Sequence, residues 1–171
     1  MQLTMYQASV PVFSRYLEQL AKMLVLAEEF VEKHGNDPQV VLQARLAPTM
    51  HPFVSQVEIA ANFALRACAP LAGLDIPTFD QRCESFAALK TRLAWTSDFL
   101  AKLTPSQMEA SEEGRYSSQA GQGVVTLEGP IFLLQYALPN FLFHVSTAYA
   151  ILRQLGVAIG KADYDGFHVY Q

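Results

Sequence analysis

The sequence predicts an all-α fold, an antiparallel bundle of four main helices with a small β-hairpin before the last long one. Three observations carry this prediction. Apolar residues recur at three- and four-residue steps through four long segments, as in helices that bury one stripe. Glycine and proline punctuate the ends of those segments. Only the stretch from Gly114 to Gly129 breaks the helical period, and it is short. An α+β fold with a larger sheet is the alternative, and the hairpin alone supports it.

The first helix is expected from Pro11 to His34. Phe13, Leu17, Leu20, Met23, Leu24, Ala27 and Val31 form its stripe, with Glu18, Gln19, Lys22, Glu29 and Lys33 largely opposite. Gly35 stops it, and Asp37-Pro38 reads as a cap for a short turn. The second starts near His51-Pro52 and ends between Pro70 and Gly73. Its buried face centres on Phe53, Val57, Ala60, Ala64, Ala67 and Leu71, while His51, Ser55, Glu58, Asn62 and Arg66 form a wet face. The third spans Ser85 to Leu103, with Ser85 as N-cap. Its single tryptophan, Trp95, falls about 140° from the centre of the stripe, over a subunit contact or a surface groove.

Arg115–Ala120 and Val124–Glu128, joined by Gly121-Gln122-Gly123, read as two strands of a hairpin lying against the helices. The last helix restarts after Gly129-Pro130, is interrupted at Leu138-Pro139, and runs on from Pro139 to Leu155 and Gly156. The tail, Val157 to Gln171, is expected to lie along the surface. Residues 1–171 thus form one expected domain.

Composition narrows the function classes. An apolar share of 51% and a charged share of 16% describe a packed chain, not a disordered one. The net charge of −4 and the lack of a basic stripe argue against nucleic acid as a partner. The C-terminal apolar stretch is broken by Gln135, Pro139, Asn140 and His144, too polar for a membrane span. The N-terminus lacks the charged start and apolar run of a signal peptide, and Cys68 and Cys83 form no disulfide framework. These features point to a cytoplasmic protein with two reduced thiols.

Two polar residues interrupt the apolar faces. His144 falls in the stripe of Phe141, Val145, Ala148 and Leu152, and Gln56 falls beside Ala60, Phe63 and Ala67. An imidazole or amide buried without a partner costs about 1–3 kcal/mol, so each needs a hydrogen bond, most simply from the other or through a water. Two readings stand: a satisfied pair that fixes helix register, or polar groups lining an interior pocket with Asn140 and Tyr149. In the pocket reading His144 is the general acid or base, because its side chain alone there titrates near neutrality. His51 reads as a cap and His34 as a cation favoured by a helix C-terminus. His168 with Asp163 and Asp165 reads as loop polarity, with a tail metal site as the alternative. No phosphate-binding glycine loop, nucleophile elbow or H-E-x-x-H pattern occurs.

The segments from Met5 to Leu20, Ala44 to Ala64 and Ala137 to Lys161, most specifically the run from Ala137 to Tyr149, resemble an uncharacterised family of the DinB/YfiT-like superfamily of metal-dependent enzymes. The resemblance implies a four-helix bundle of the DinB type and a homodimer. In metal-binding members it implies a divalent ion held by three histidines, one from the second long helix and an H-x-x-x-H pair from a late helix. Here His144 matches the first of that pair, Ala148 stands at the second, and Gln56 lies nearest the other position. An amide is a poor ligand for zinc or nickel, so neither a tightly bound metal nor another cofactor is expected. The expected function is a small-molecule-binding protein or enzyme with a pocket at His144 and Gln56. The alternative is a non-catalytic dimerising scaffold in a stress response.

Overall fold

Helix α1 begins six residues earlier than Pro11. In the computed structural model, which describes residues 3–169, it spans Met5–His34. Thr4 accepts the Gln7 N–H at 3.2 Å and Gln7 returns its side-chain oxygen to the Thr4 N–H at 3.1 Å, a reciprocal capping box. Pro11 therefore sits inside the helix, near its start, and does not open it. Gly35, at φ 62°, ends it in the left-handed conformation.

Four long helices carry the core: α1, then, after the short α2 (Gln39–Leu42), α3 (Phe53–Leu71), α4 (Phe86–Leu100) and, later, α6 (Leu138–Gln154). The main packing is α3 on α6 and α1 on α4, with α3 also against α4 and α1. Phe13, Leu17, Leu20, Phe53, Leu89 and Phe141 are fully buried where these helices meet. The alanines of α3, at 60, 61, 64 and 67, are buried and let its neighbours approach closely. Ser85 caps α4 by accepting the Ala88 N–H at 3.1 Å. A 3-10 segment (Pro105–Glu112) then leads into the hairpin, β1 (Arg115–Ala120) and β2 (Gly123–Glu128), paired from Arg115–Glu128 to Ala120–Gly123. The turn is the two residues Gly121-Gln122, one shorter than the sequence suggests.

The interruption expected at Leu138-Pro139 is not a break. Helix continues from α5 (Gly129–Ile131) through a π-helical segment (Phe132–Ala137) into α6. Proline offers no N–H, and a π turn lets a carbonyl reach the donor one residue further on, so the helix is deformed rather than ended. Gly129 is fixed by contact: a Cβ there would lie 2.0 Å from the Ser111 carbonyl oxygen. The tail returns to α1 through α7 (Lys161–Asp165) and covers Gln19, which is buried rather than outward-facing. Of the tail aromatics, Tyr170 lies outside the described residues, as do Met1, Gln2 and Gln171. Among the described residues no helix is long and apolar enough to cross a membrane.

The expected wet face of α3 is also covered in places. Asn62 accepts a hydrogen bond from Arg92 at 2.5 Å, and Arg92 is itself buried against Phe79, its guanidinium 4.8 Å from the ring centroid. Trp95 packs on the same Phe79 at 5.2 Å, so it is the loop between α3 and α4 that lies against it.

Candidate functional site

The first turn of α3 and the middle of α6 meet at Gln56 and His144. The Gln56 backbone N–H bonds the Pro52 carbonyl at 3.0 Å, and its side-chain Nε2 turns back to donate to the His51 carbonyl at 3.0 Å. That second bond fixes the amide: its donor end faces His51, and its oxygen faces α6. There Oε1 lies 2.7 Å from His144 Nδ1. An amide oxygen can only accept, so Nδ1 carries the hydrogen and His144 Nε2 carries the basic lone pair. No described residue hydrogen-bonds Nε2. The buried side-chain polar atom left without a partner among the described residues is Arg92 Nε, so His144 Nε2 keeps contact with solvent.

Gln56 is 1% exposed, but His144 is only half-buried, on the flank of the α6 stripe rather than inside it. Its ring stacks on Phe63 at 5.8 Å with a 21° tilt and meets Phe143 edge-on at 5.1 Å. Loss of water around the imidazole, with the nearby His51 as a second cause, pushes its pKa down to about 4. His144 is therefore neutral at pH 7, with Nε2 available to accept a proton or a hydrogen bond.

The other expected site residues fall in different places. Asn140 lies one turn before His144 on α6, and its Nδ2 donates to the Tyr136 carbonyl at 2.7 Å. Tyr149 is five residues from His144, about 140° around the helix, and packs against Tyr164 at 5.6 Å instead. His51 does not cap α3: the N-cap is Pro52, no side chain caps it, and His51 supplies its carbonyl. His34 is exposed and sits with Nδ1 2.7 Å from the Phe30 carbonyl, as a helix C-terminus favours. His168 pairs with Asp165 at 2.5 Å, whereas Asp163 is turned to the Gly160 N–H at 2.7 Å. The Phe167 and His168 N–H groups hold the Asp165 carboxyl below the usual range.

Two neighbours of the site, Tyr136 and Arg66, are not evident from periodicity, whereas a third, Phe63, is the residue expected beside Gln56. Phe63 is two turns along α3 from Gln56 on the same face, and its ring lies on His144. Tyr136 and Arg66 converge from the π segment and α3 on β1. Tyr136 donates to the Gln119 carbonyl at 3.0 Å, and Arg66 donates to that carbonyl and to Ser118 Oγ, the latter at 2.6 Å. Both pack near Phe63, at 6.1 and 5.0 Å.

The donor set does not fit a three-histidine metal ion. Gln56 Oε1 is taken by His144, Ala148 offers no donor, and among the described residues no three His, Cys, Asp or Glu side chains converge to hold one.

No functionally curated protein matches the chain in sequence. The crystal structure of a DinB family member protein from Shewanella denitrificans superposes with a TM-score of 0.88 and 33% identity, over 97% of this chain and 94% of that one. The model of the family described as domain of unknown function (DUF1993) matches residues 5–165, and the chain belongs to this uncharacterised, DinB-like family.

Proposed function

We propose that the chain is an antiparallel four-helix bundle that binds a small molecule through His144 Nε2, with that nitrogen serving as acceptor or general base. The observation that carries the reading is the chain of bonds from the His51 carbonyl through Gln56 to His144 Nδ1. A residue needed only to fill space between helices would not require one ring nitrogen fixed and the other left in contact with solvent. The depressed pKa keeps the acceptor unprotonated at neutral pH, though it also makes His144 a weak base, suited to a donor that is readily polarised. Asn140, one turn away, is the neighbouring polar group on the same side of α6, and Gln56 orients the base without touching the ligand.

The test is a ligand screen followed by NMR of ring-labelled histidine. A ligand whose donor sits on Nε2 should shift the His144 ring signals and bind His144→Gln at least about tenfold more weakly, the loss of roughly one good hydrogen bond. Ligands that bind parent and His144→Gln alike would remove the reading.

A second reading, a homodimeric scaffold, is favoured by the exposed aromatic side chain of Phe143, at 55%. The free, buried Cys68 and Cys83 support a reducing, cytoplasmic setting for either reading.

A further inference from the structure

On the other side of α6 from His144 lies a cavity of about 240 Å3, lined by Ser146, Tyr149, Lys161 and Tyr164. Its construction is local. α7 opens with the Gly160 N–H bonded to the Asp163 carboxylate and closes at Gly166, whose φ of 68° turns the chain away. Between them Tyr164 packs edge-on against Tyr16 of α1 at 5.3 Å and reaches α6, where its hydroxyl bonds Ser146 Oγ at 2.7 Å. Tyr149 meets the same ring edge-on at 5.6 Å. Two tyrosine rings thus border the cavity, and a hydroxyl pair bridges its helices.

The polar groups there are not all engaged. Lys161 is exposed and forms no ion pair among the described residues, and the Tyr149 hydroxyl has no hydrogen-bond partner among them. Both acids of α7 are engaged elsewhere, Asp163 by the Gly160 N–H and Asp165 by the Phe167 and His168 N–H groups. We propose that this cavity is a second ligand site, which takes a small aromatic monoanion such as an aryl carboxylate. The ring lies against Tyr149 and Tyr164, and the anion meets the Lys161 ammonium and the Tyr149 hydroxyl. The volume is below that of pockets for drug-sized ligands, so the occupant is a single ring. One ammonium matches one anionic group, and a charge-assisted bond beside aromatic walls favours a ligand carrying both features over one carrying either.

The experiment titrates benzoate, phenol, acetate and benzylamine into the chain with ring-labelled tyrosine and follows the Tyr149 and Tyr164 signals by NMR. Benzoate should shift both and saturate. Phenol, which keeps the ring, and acetate, which keeps the charge, should each bind at least about tenfold more weakly. Lys161→Gln, a change at an exposed position, should leave the free spectrum intact and weaken benzoate about tenfold. His144→Gln should bind benzoate as the parent does, which separates this site from the one at Gln56. No saturable benzoate shift up to about 20 mM would overturn the assignment. So would equal binding of acetate, tighter binding of benzylamine, or an undiminished affinity in Lys161→Gln.

Discussion

His144 and His51 lie close together, yet their side chains carry different loads. The His144 imidazole satisfies a buried amide oxygen, whereas the His51 side chain is exposed and only its carbonyl is used. His144→Ala leaves Gln56 Oε1 buried and unpaired and should cost about 1–3 kcal/mol. His51→Ala keeps the carbonyl and should cost roughly 0.5 kcal/mol or less. Denaturant unfolding of both variants beside the parent measures the difference, and equal midpoints for parent and His144→Ala would contradict it. The pH dependence follows from the same residue. Its native pKa, about 4, lies below the ordinary histidine value of 6.5. Above 6.5 both folded and unfolded chains hold it neutral and its contribution is complete. Between 6.5 and 4 the unfolded chain takes up the proton first, so stability falls as the pH falls. In His144→Gln that part of the slope should vanish. This pair was legible in the sequence because a polar residue in or beside an apolar stripe needs a partner, although His144 proves to lie on the flank of its stripe. The partners of Tyr149 were not: they arrive on α7, a five-residue helix too short to show a period.

At the scale of elements, the long helices were legible from spacing, and the errors lie where local chemistry overrides it. Pro11 reads as a helix start because proline favours the first turn, but the Thr4–Gln7 capping box, six residues upstream, sets the start instead. Pro139 reads as a break because it removes a donor, but the π segment before it absorbs the loss. Arg66 reads as solvated because its face of α3 is polar. No period along α3 could show that the hairpin folds back over it. Arg66 and Tyr136 are the side chains whose hydrogen bonds fasten β1 to the helices, both at the Gln119 carbonyl and Ser118. A two-stranded hairpin is marginal alone, so its order depends on such attachments. Arg66→Ala should raise amide exchange throughout 115–128 by at least about tenfold while core amides of α3 and α6 stay protected. Hydrogen exchange read by mass spectrometry decides it. Unchanged exchange in the hairpin would mean that β1 is held by packing of Tyr116 on Phe132 rather than by Arg66.

For the whole molecule, the two functional readings meet at Phe143. This side chain is 55% exposed, yet its ring touches His144 edge-on at 5.1 Å. A second copy covering Phe143 would therefore also wall the open side of His144 and withdraw water from the base. Binding and dimerisation would then be one device rather than alternatives, since closing a site strengthens every polar contact inside it. Sedimentation equilibrium should give twice the 19.0 kDa chain mass at about 10–100 μM, a range that tests micromolar self-association. Phe143→Glu, which places a charge in that contact without touching the core, should return the chain to its single mass and change the unfolding free energy of the monomer by about 0.5 kcal/mol or less, as for an exposed position. A parent that stays monomeric throughout the range removes the dimer and leaves the Gln56–His144 pair as a site open to solvent on its own.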